Sequence, residues 1–419
     1  MATTTGESTG STRTTERLLT PRFVLVVVVG LAYFLSLGML LPVMPLFVKE
    51  SLLGGEVAVG VAVGAFSVGA VVVRPFAGRI GDRFGRKVLI VGGALTVALA
   101  SVLYHLAVDL PILVAIRTIG GIGEAAFFVG AGTMVTDLAP EARRGEALSY
   151  WSVAVYGGLA FGPSLGELAL AHDQFGRVWT VSGALALVAA IIGLVLRETT
   201  DVEANKVARA AGTPAAPLLN RSALAPGLIL FLGLVGLAGF VEFVPLYVKD
   251  IGLVDSKSIF LVYGGTVLLV RIFGARVPDR IGPLKTGTLA TGFAAAGLLV
   301  MAIVASPVTL YAGTVVFSVG MSFLYPSLMT LALTGVPENE RGSAVGTVSS
   351  FFDASQGLGA VMLGGVAALS GYRGAFVGGA VAALVGLALL RGGIDPRTRR
   401  DVDHDAAAAA RTCLEPDLP

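Results

Sequence analysis

The sequence predicts an all-α membrane protein with twelve transmembrane helices in two pseudo-symmetric six-helix bundles. Three observations support this prediction: the composition is very apolar, the chain contains twelve long apolar runs, and landmarks of the first half recur in the second. Of the 419 residues, 55% are hydrophobic and only 14% are charged, and the mean hydropathy is +0.83. Such a composition excludes an ordinary soluble fold.

Each apolar run is long enough to cross a bilayer. A transmembrane helix needs about 20 mostly apolar residues, and short polar turns separate the runs. The chain has 56 glycines, which favour close helix packing in lipid because small residues let two backbones approach each other. The predicted segments are 22–49, 57–77, 88–107, 111–136, 146–170, 177–197, 223–248, 256–275, 284–305, 308–334, 342–368 and 372–391.

Three landmarks appear twice in the same order. The longest is the loop RPFAGRIGDRFGRK at 74–87, which returns in part as RIFGARVPDRIG at 271–282, about 197 positions later. The matched pairs are 74–87 with 271–282, 140–145 with 337–342, and 45–50 with 245–250. A membrane unit that is duplicated in this way is typical of secondary transporters.

The polar stretches divide the chain into five parts. The first residues are rich in Ser and Thr and lack the apolar core of a cleaved signal peptide, and the last residues are charged and then Ala-rich. The predicted parts are a disordered cytoplasmic N-terminal tail at 1–21, a six-helix bundle at 22–197, a cytoplasmic linker at 198–222, a second six-helix bundle at 223–391 and a cytoplasmic tail at 392–419.

The basic residues predict the orientation of the helices. With a cytoplasmic N-terminus, the inner turns receive most of the Lys and Arg residues. The outer turns receive only Lys49, Arg177, Lys249, Lys257 and Arg373. We therefore predict an integral protein of the cell (inner) membrane with both termini in the cytoplasm. The net charge is only +2, so nothing in the composition suggests a nucleic-acid partner.

The loop at 78–87 resembles the signature loop of the major facilitator superfamily, which lies between the second and third helices. Few patterns of ten residues are as specific, and with the twelve segments the resemblance covers essentially 22–391. It implies a monomer in the lipid bilayer that transports a small organic substrate by alternating access, with protons as coupling ion. This rocking of two bundles about a midplane site would need no cofactor.

The repeated loop also implies a latch on the cytoplasmic side. Asp82 can accept hydrogen bonds from the free N–H groups at the start of a neighbouring helix, which in the family is the eleventh helix. The alternative is a charged turn that only anchors helix ends at the lipid headgroups. The predicted latch residues are Gly78, Asp82, Arg83, Gly85, Arg86, Asp279 and Arg280, and the second copy has Ala275 in place of the first glycine.

The fifth segment carries a glycine–proline pattern formed by Gly158, Gly162, Pro163 and Gly166. This pattern resembles a motif of the family's drug/proton antiporter branch, where it packs helix five against helix eight near the outer face and is associated with export. Two positions depart from that motif, because Ser149 and Glu167 stand where glycines are usual. The alternative is a proline kink beside a small-residue helix contact.

Ionisable residues inside the membrane are costly and usually functional. We predict Glu124 as the first candidate proton carrier, with Arg117 and Asp353 as further candidates for proton coupling. Arg117 and Glu124 are separated by roughly 10 Å along one helix face, so they cannot pair directly. The alternatives are an ion pair of Glu124 with a basic residue of another helix and an interhelical hydrogen bond of Asp353. We expect Arg74 and Arg271 to lie near the cytoplasmic ends and to snorkel.

Aromatic and polar residues of the cavity-lining helices form a predicted substrate surface. Glu242 is suited to a cationic substrate, although its alternative is a side chain near the outer interface that reaches water. Each aromatic side chain could equally be packing. The predicted cavity residues are Tyr33, Phe127, Tyr156, Glu242, Phe243, Tyr325, Phe352, Asp353 and Gln356.

These patterns favour proton-coupled export of a small amphipathic or cationic molecule or drug. One alternative is import of a sugar or other metabolite by symport or uniport, and another is a membrane receptor without transport activity. An enzyme is not expected, because His105, His172 and His404 lie at helix ends or in the tail and build no metal or haem site. No phosphate-binding loop for ATP occurs either.

Overall fold

The computed structural model describes residues 18–140, 143–170, 174–200, 202, 219–274, 277–334, 336 and 338–392, and the chain in these ranges is helical without strands. Most of the predicted linker and nearly all of both predicted tails lie outside the described residues. The helices of the first half are α1 Pro21–Glu50, α2 Glu56–Phe84, α3 Arg86–Leu103, α4 Leu110–Asp137, α5 Arg144–Ala169 and α6 Phe175–Val195.

Helix ends in the first half follow local sequence signals. The side chain of Thr20 accepts a hydrogen bond from the backbone N–H of Phe23 and caps α1, and Asp109 caps α4 in the same way. Both helices have proline in the first turn, where no backbone donor is lost. Gly85 separates α2 from α3 with φ 101°, a conformation that glycine adopts without strain.

The second half repeats this order of helices. Its helices are α7 Leu224–Asp250, α8 Lys257–Gly274, α9 Pro283–Ile303, α10 Pro307–Leu333 and α11 Glu338–Gly392, with a single short turn of helix, Val277–Ile281, before α9. Gly282 precedes α9 with φ 83°, as Gly85 precedes α3. Gly371 interrupts α11 with φ 72° and ψ 179°, so this helix has two parts.

Ten helices in the described part of the chain are long and apolar enough to cross a membrane. The last of them is the 50-residue stretch Ser343–Gly392, which is long enough for two crossings once it is divided at Gly371. Helix α5 is not among the ten. The helices match the twelve predicted segments in position, but the number of twelve crossings stays a prediction.

The helix contacts are equivalent in the two halves. In the first half α1 packs on α5, α2 on α4 and α3 on α4; in the second half α7 packs on α11, α8 on α10 and α9 on α10. Between the halves, α2 packs on α11 and α5 packs on α8. The α2–α11 contact and the α5–α8 contact are counterparts of each other in the repeat. The packing is therefore that of two bundles related by a pseudo-twofold axis.

Glycines bring the two halves into close contact. A Cβ atom on Gly60 would lie 2.5 Å from the carbonyl oxygen of Ala360, and one on Gly64 would lie 2.8 Å from that of Gly357. Larger side chains would force α2 and α11 apart. The site described below lies further along these two helices, where charged residues replace the glycines.

Candidate functional site

A buried cluster of three charged residues joins the two halves. Nη2 of Arg74 on α2 lies 3.0 Å from Oε2 of Glu124 on α4 and 3.0 Å from Oδ1 of Asp353 on α11. Nε of the same arginine lies 2.5 Å from Oδ2 of Asp353. The three residues are only 6–8% exposed. The two predicted carboxylates are therefore held together by an arginine that bridges the halves.

The cluster corrects the expectation that Arg74 snorkels to the cytoplasmic surface. Its side chain stays inside because two carboxylates compensate its charge and the ring of Phe128 lies 4.7 Å below its guanidinium carbon. With both carboxylates ionised the cluster has a net charge of −1, which is costly in a low-dielectric interior. One bound proton makes it neutral. The structure thus places two acids and one base in direct contact between the halves.

Arg117 lies on the same helix as Glu124 but belongs to a different environment. Its Nε donates a hydrogen bond of 3.1 Å to the backbone oxygen of Ala62, and its guanidinium carbon lies 4.6 Å from the ring centre of Phe66. These contacts tie α4 to α2. Arg117 thus stabilises the packing of α4 on α2 beside the cluster, and it forms no ion pair with the three residues of the cluster.

Glu242 does not reach water at the outer interface, which corrects the alternative for this residue. It is 1% exposed on α7, and neither of its carboxylate oxygens has a hydrogen-bond partner among the described residues. Arg117 on α4 is close enough to interact with it electrostatically. The carboxyl group is therefore buried, within reach of a cation of the first half.

Two predicted cavity aromatics pack beside the charged cluster. The rings of Tyr33 on α1 and Phe127 on α4 are stacked with their centres 3.6 Å apart. Both are fully buried, and the hydroxyl group of Tyr33 has no hydrogen-bond partner among the described residues. Tyr33 is close enough to Glu124 and Arg74 to interact with them electrostatically.

A second group of aromatics surrounds Arg271 between the halves. The guanidinium carbon of Arg271 on α8 lies 3.7 Å from the ring centre of Tyr156 on α5. Arg271 and Tyr156 are half-buried, so neither is sealed inside the protein. The expectation that Arg271 snorkels away from the interior is wrong, because its cation stacks on an aromatic face.

The other predicted cavity residues lie on the second half. Tyr325 on α10 packs edge-on against Phe352 on α11, with ring centres 5.9 Å apart. Gln356 donates a hydrogen bond of 3.3 Å to Ser355 on its own helix and is half-buried. Phe243 stacks on Tyr372 at 5.8 Å and is fully buried. Tyr325, Phe352 and Gln356 are half-buried, while Phe243 belongs to the packing of the second half.

The glycines of the helix-five pattern contact α1, not α8. A Cβ atom on Gly158 would lie 2.4 Å from Cβ of Phe34, and one on Gly162 would lie 2.6 Å from the Cα of Gly38. A Cβ on Gly166 would lie 2.2 Å from the backbone oxygen of a residue on α1. The expected contact of these glycines with helix eight is therefore wrong, because they occupy the other face of α5. Pro163 lies inside α5 beside them.

The face of α5 that does contact α8 carries Ala160 and Glu167. A Cβ on Gly264 would lie 2.2 Å from Cβ of Ala160. The carboxylate of Glu167 accepts hydrogen bonds from the hydroxyl group and, at 3.2 Å, from the backbone N–H of Ser256. This acidic departure from the motif thus ties the C-terminal end of α5 to the start of α8.

Further contacts between the halves lie at the end of the bundle that contains the α1–α2 turn, which we call the Lys49 end. Lys249 forms an ion pair with Glu50 across the halves, and beside it Lys49 forms a 2.7 Å ion pair with Glu56 within the first half. The described contacts between the halves run from this end to the level of Arg74.

The loop of the predicted latch lies at the opposite end. The side chains of Asp82 and Asp279 lie outside the described residues, so the predicted contacts to α11 and α5 are not seen. Arg83 and Arg280 are exposed, and Gly78 has open space around its Cα atom. Nε of Arg86 lies 3.6 Å from Oδ2 of Asp137. The latch remains a prediction.

Glu198 caps α3 from the far side of this loop, which the sequence analysis missed. Partial burial raises the pKa of Glu198, but four backbone N–H groups lower it by more, so that its pKa lies below the ordinary carboxyl value. These donors are Arg86 at 2.8 Å, Lys87 at 3.0 Å, Thr199 at 3.0 Å and Thr200 at 3.1 Å. The sequence signal for this cap is that Glu198 directly follows the sixth apolar run.

Comparison with known proteins identifies relatives over most of the chain. The family model described as Major Facilitator Superfamily matches residues 26–360 and 291–414. Multidrug resistance protein 1 of Bacillus subtilis (strain 168) is 30% identical over 325 residues, which are 76% of this chain and 82% of that protein. An uncharacterised MFS-type transporter of Burkholderia mallei (strain SAVP1) is 29% identical over 365 residues, which are 85% of this chain and 88% of that protein.

Solved structures share the fold at low sequence identity. The nucleoside transporter NupG superposes with a TM-score of 0.73 at 12% identity, over 89% of this chain and 100% of that chain. The human organic anion transporter MFSD10 superposes with a TM-score of 0.68 at 19% identity, over 88% of this chain and 100% of that chain. At these identities the likeness concerns the fold alone.

Proposed function

We propose, from the fact that this chain belongs to the major facilitator superfamily, that it exports a small amphipathic organic molecule in exchange for protons. Membership makes it a membrane transporter and not an enzyme. The similarity to a multidrug resistance protein supports the direction of export. Among the described residues, no group of three or more His, Cys, Asp or Glu residues could hold a metal ion.

The observation that supports proton coupling is the cluster of Arg74, Glu124 and Asp353 between the halves. When both carboxylates are ionised, Arg74 holds α11 against α2 and α4. When one carboxylate takes up a proton, the attraction across the halves falls and they can rock apart. A proton that enters from outside and leaves to the cytoplasm would then drive one cycle of alternating access.

The contacts at the Lys49 end support an inward-facing arrangement. If both termini are cytoplasmic, this end is extracellular and it is closed by the Glu50–Lys249 pair and by Glu167 on Ser256. A substrate would enter from the cytoplasm into the gap beside Tyr156 and Tyr325. The latch at Asp82 would form after the halves have rocked to the outward-facing state.

The test replaces Glu124 by glutamine, which keeps the shape but cannot exchange a proton. We expect Glu124→Gln to abolish export of an amphipathic dye driven by a pH gradient in proteoliposomes, while exchange of the dye without a gradient persists. The measurements are dye efflux and the substrate-induced change in internal pH.

Asp109→Asn is the matched control, because it lies on the same helix and asparagine caps α4 as well as aspartate does. It should transport like the wild-type protein. Normal gradient-driven export and normal proton movement in Glu124→Gln would overturn the assignment of Glu124. Dye uptake together with protons in the wild-type protein would favour the import alternative.

A further inference from the structure

We propose that Arg271 is an anion-binding residue of the substrate site, so that the transported molecule is an amphipathic organic acid with a carboxylate or a similar anionic group. This inference rests on the proposed transport function and names its substrate class. It starts from the internal repeat, because Arg271 is the counterpart of Arg74, 197 positions later.

The second copy of the repeat lacks both carboxylates that surround Arg74. The same offset of 197 positions leads from Glu124 to Met321 and from Tyr156 to Asp353. Arg74 touches Asp353 on α11, and Arg271 touches Tyr156 on α5, so the two contacts correspond to each other in space as well. In the second copy, a tyrosine ring and a thioether stand where the first copy has acids.

Within the described part of the chain, the cation of Arg271 consequently lacks a counter-charge. Among the described residues it has no ion-pair partner, and its Nε and Nη2 atoms are shielded from solvent without a hydrogen-bond partner. A buried guanidinium that leaves donors unused is costly. The side chain itself is half-buried and lies where α8 meets α5 of the other half, so that a ligand could supply the missing acceptor atoms.

The surroundings of Arg271 fit the apolar part of such a ligand. Tyr156 lies against its guanidinium group, and Tyr263 on the same helix is close enough to interact with both. Tyr325 extends this aromatic wall towards the Arg74 cluster. A planar guanidinium binds a carboxylate with two parallel hydrogen bonds, while the rings contact an aromatic or aliphatic body.

A cationic substrate finds no comparable partner among the described residues. The carboxylates of Glu124 and Asp353 are already held by Arg74, and Glu242 is 1% exposed and interacts electrostatically with Arg117.

The experiment compares three probes with the same ring: 1-naphthaleneacetic acid, its methyl ester and 2-(1-naphthyl)ethylamine. Their binding to the detergent-solubilised full chain is measured by naphthalene fluorescence. We expect the wild-type protein to bind the acid about tenfold more tightly than the ester or the amine, which corresponds to one good ionic contact. Arg271→Gln should lose this preference and bind the ester as before.

Arg271→Lys and Arg221→Gln serve as references. The lysine variant keeps the charge and should retain part of the preference for the acid. A variant that only distorts the shape of the site would instead bind all three probes more weakly. Arg221 is an exposed arginine before α7, and its variant should bind like the wild-type protein. Unchanged binding of the acid by Arg271→Gln would overturn the proposal, as would a wild-type preference for the amine or no binding of any probe.

The proposed function can fail separately from this inference. If the acid binds through Arg271 but no pH gradient drives its export, the substrate class stands and proton-coupled export falls. If the ester and amine are exported and the acid is not, export stands and the anion site falls.

Discussion

Two arginines at equivalent places in the two halves have opposite electrostatic surroundings. Arg74 lies between Glu124 and Asp353, with nitrogen–oxygen distances of 2.5–3.0 Å. Arg271 lies on the ring of Tyr156 at 3.7 Å and has no ion-pair partner among the described residues. A duplicated fold can thus use equivalent positions differently. In our proposal, one copy uses its charges to couple the halves, and the other offers a cation to a ligand.

The same difference predicts unequal roles in stability. The Arg74 cluster links three helices from both halves, so it stabilises the contact between the bundles. The stacking of Arg271 on Tyr156 links two helices without a buried counter-charge. Replacing Arg74 and Arg271 separately therefore compares their contributions to stability in the same protein.

The largest effect is expected from Arg74→Gln. It leaves two buried carboxylates without their cation, and breaking a buried ion pair in this way costs about 3–5 kcal/mol. We expect a large fall in the thermal unfolding temperature in detergent and loss of proton-driven transport. Arg271→Gln should unfold close to the wild-type protein. Equal unfolding temperatures for the two variants would contradict the division of roles.

A second prediction makes the second copy resemble the first. Tyr156→Asp places a carboxylate against Arg271, as Asp353 lies against Arg74. We expect this variant to insert normally and to lose the preference for 1-naphthaleneacetic acid by about tenfold, because the new ion pair occupies the cation. Tyr156→Phe keeps the ring and should retain the preference. Retention of acid binding by Tyr156→Asp would mean that Arg271 is not the site.

The smallest effect concerns the two equivalent loops. Glu198 caps α3 after Gly85, whereas α9 begins after Gly282 without a side-chain cap. We expect Glu198→Gln to lower the unfolding free energy by about 0.5–1 kcal/mol near neutral pH. The amide oxygen can still accept hydrogen bonds without the charge, but the NH2 group cannot accept the one from Lys87.

The pH dependence of this cap has a definite sign. Because the pKa of Glu198 is lower in the folded protein than its ordinary value, the stabilisation is complete above that ordinary value. It is lost as the pH falls through the lowered pKa. The difference in unfolding temperature between the wild-type protein and Glu198→Gln should therefore disappear in acid. A difference that grows in acid would show that the carboxylate is not the cap.

Much of the fold could be predicted from composition and repetition. The apolar runs agree in position with the described helices, and the repeated loops at 74–87 and 271–282 anticipate the pseudo-twofold packing. The glycine pattern at 158–166 also indicated a close helix contact. It did not reveal whether α1 or α8 would fill that contact, since a helix presents small residues to any neighbour that fits.

The sequence by itself determined the class of protein, the helices, the duplication and the identity of the charged residues inside the membrane, because apolar length and residue periodicity are local properties. Only the tertiary structure decided which charges meet. Arg74 and Arg271 lie in nearly identical sequence contexts, yet residues on α4 and α11 neutralise one, while a ring on α5 covers the other. Ion pairs depend on distances of a few ångströms between helices that are far apart in the chain, and packing alone sets those distances.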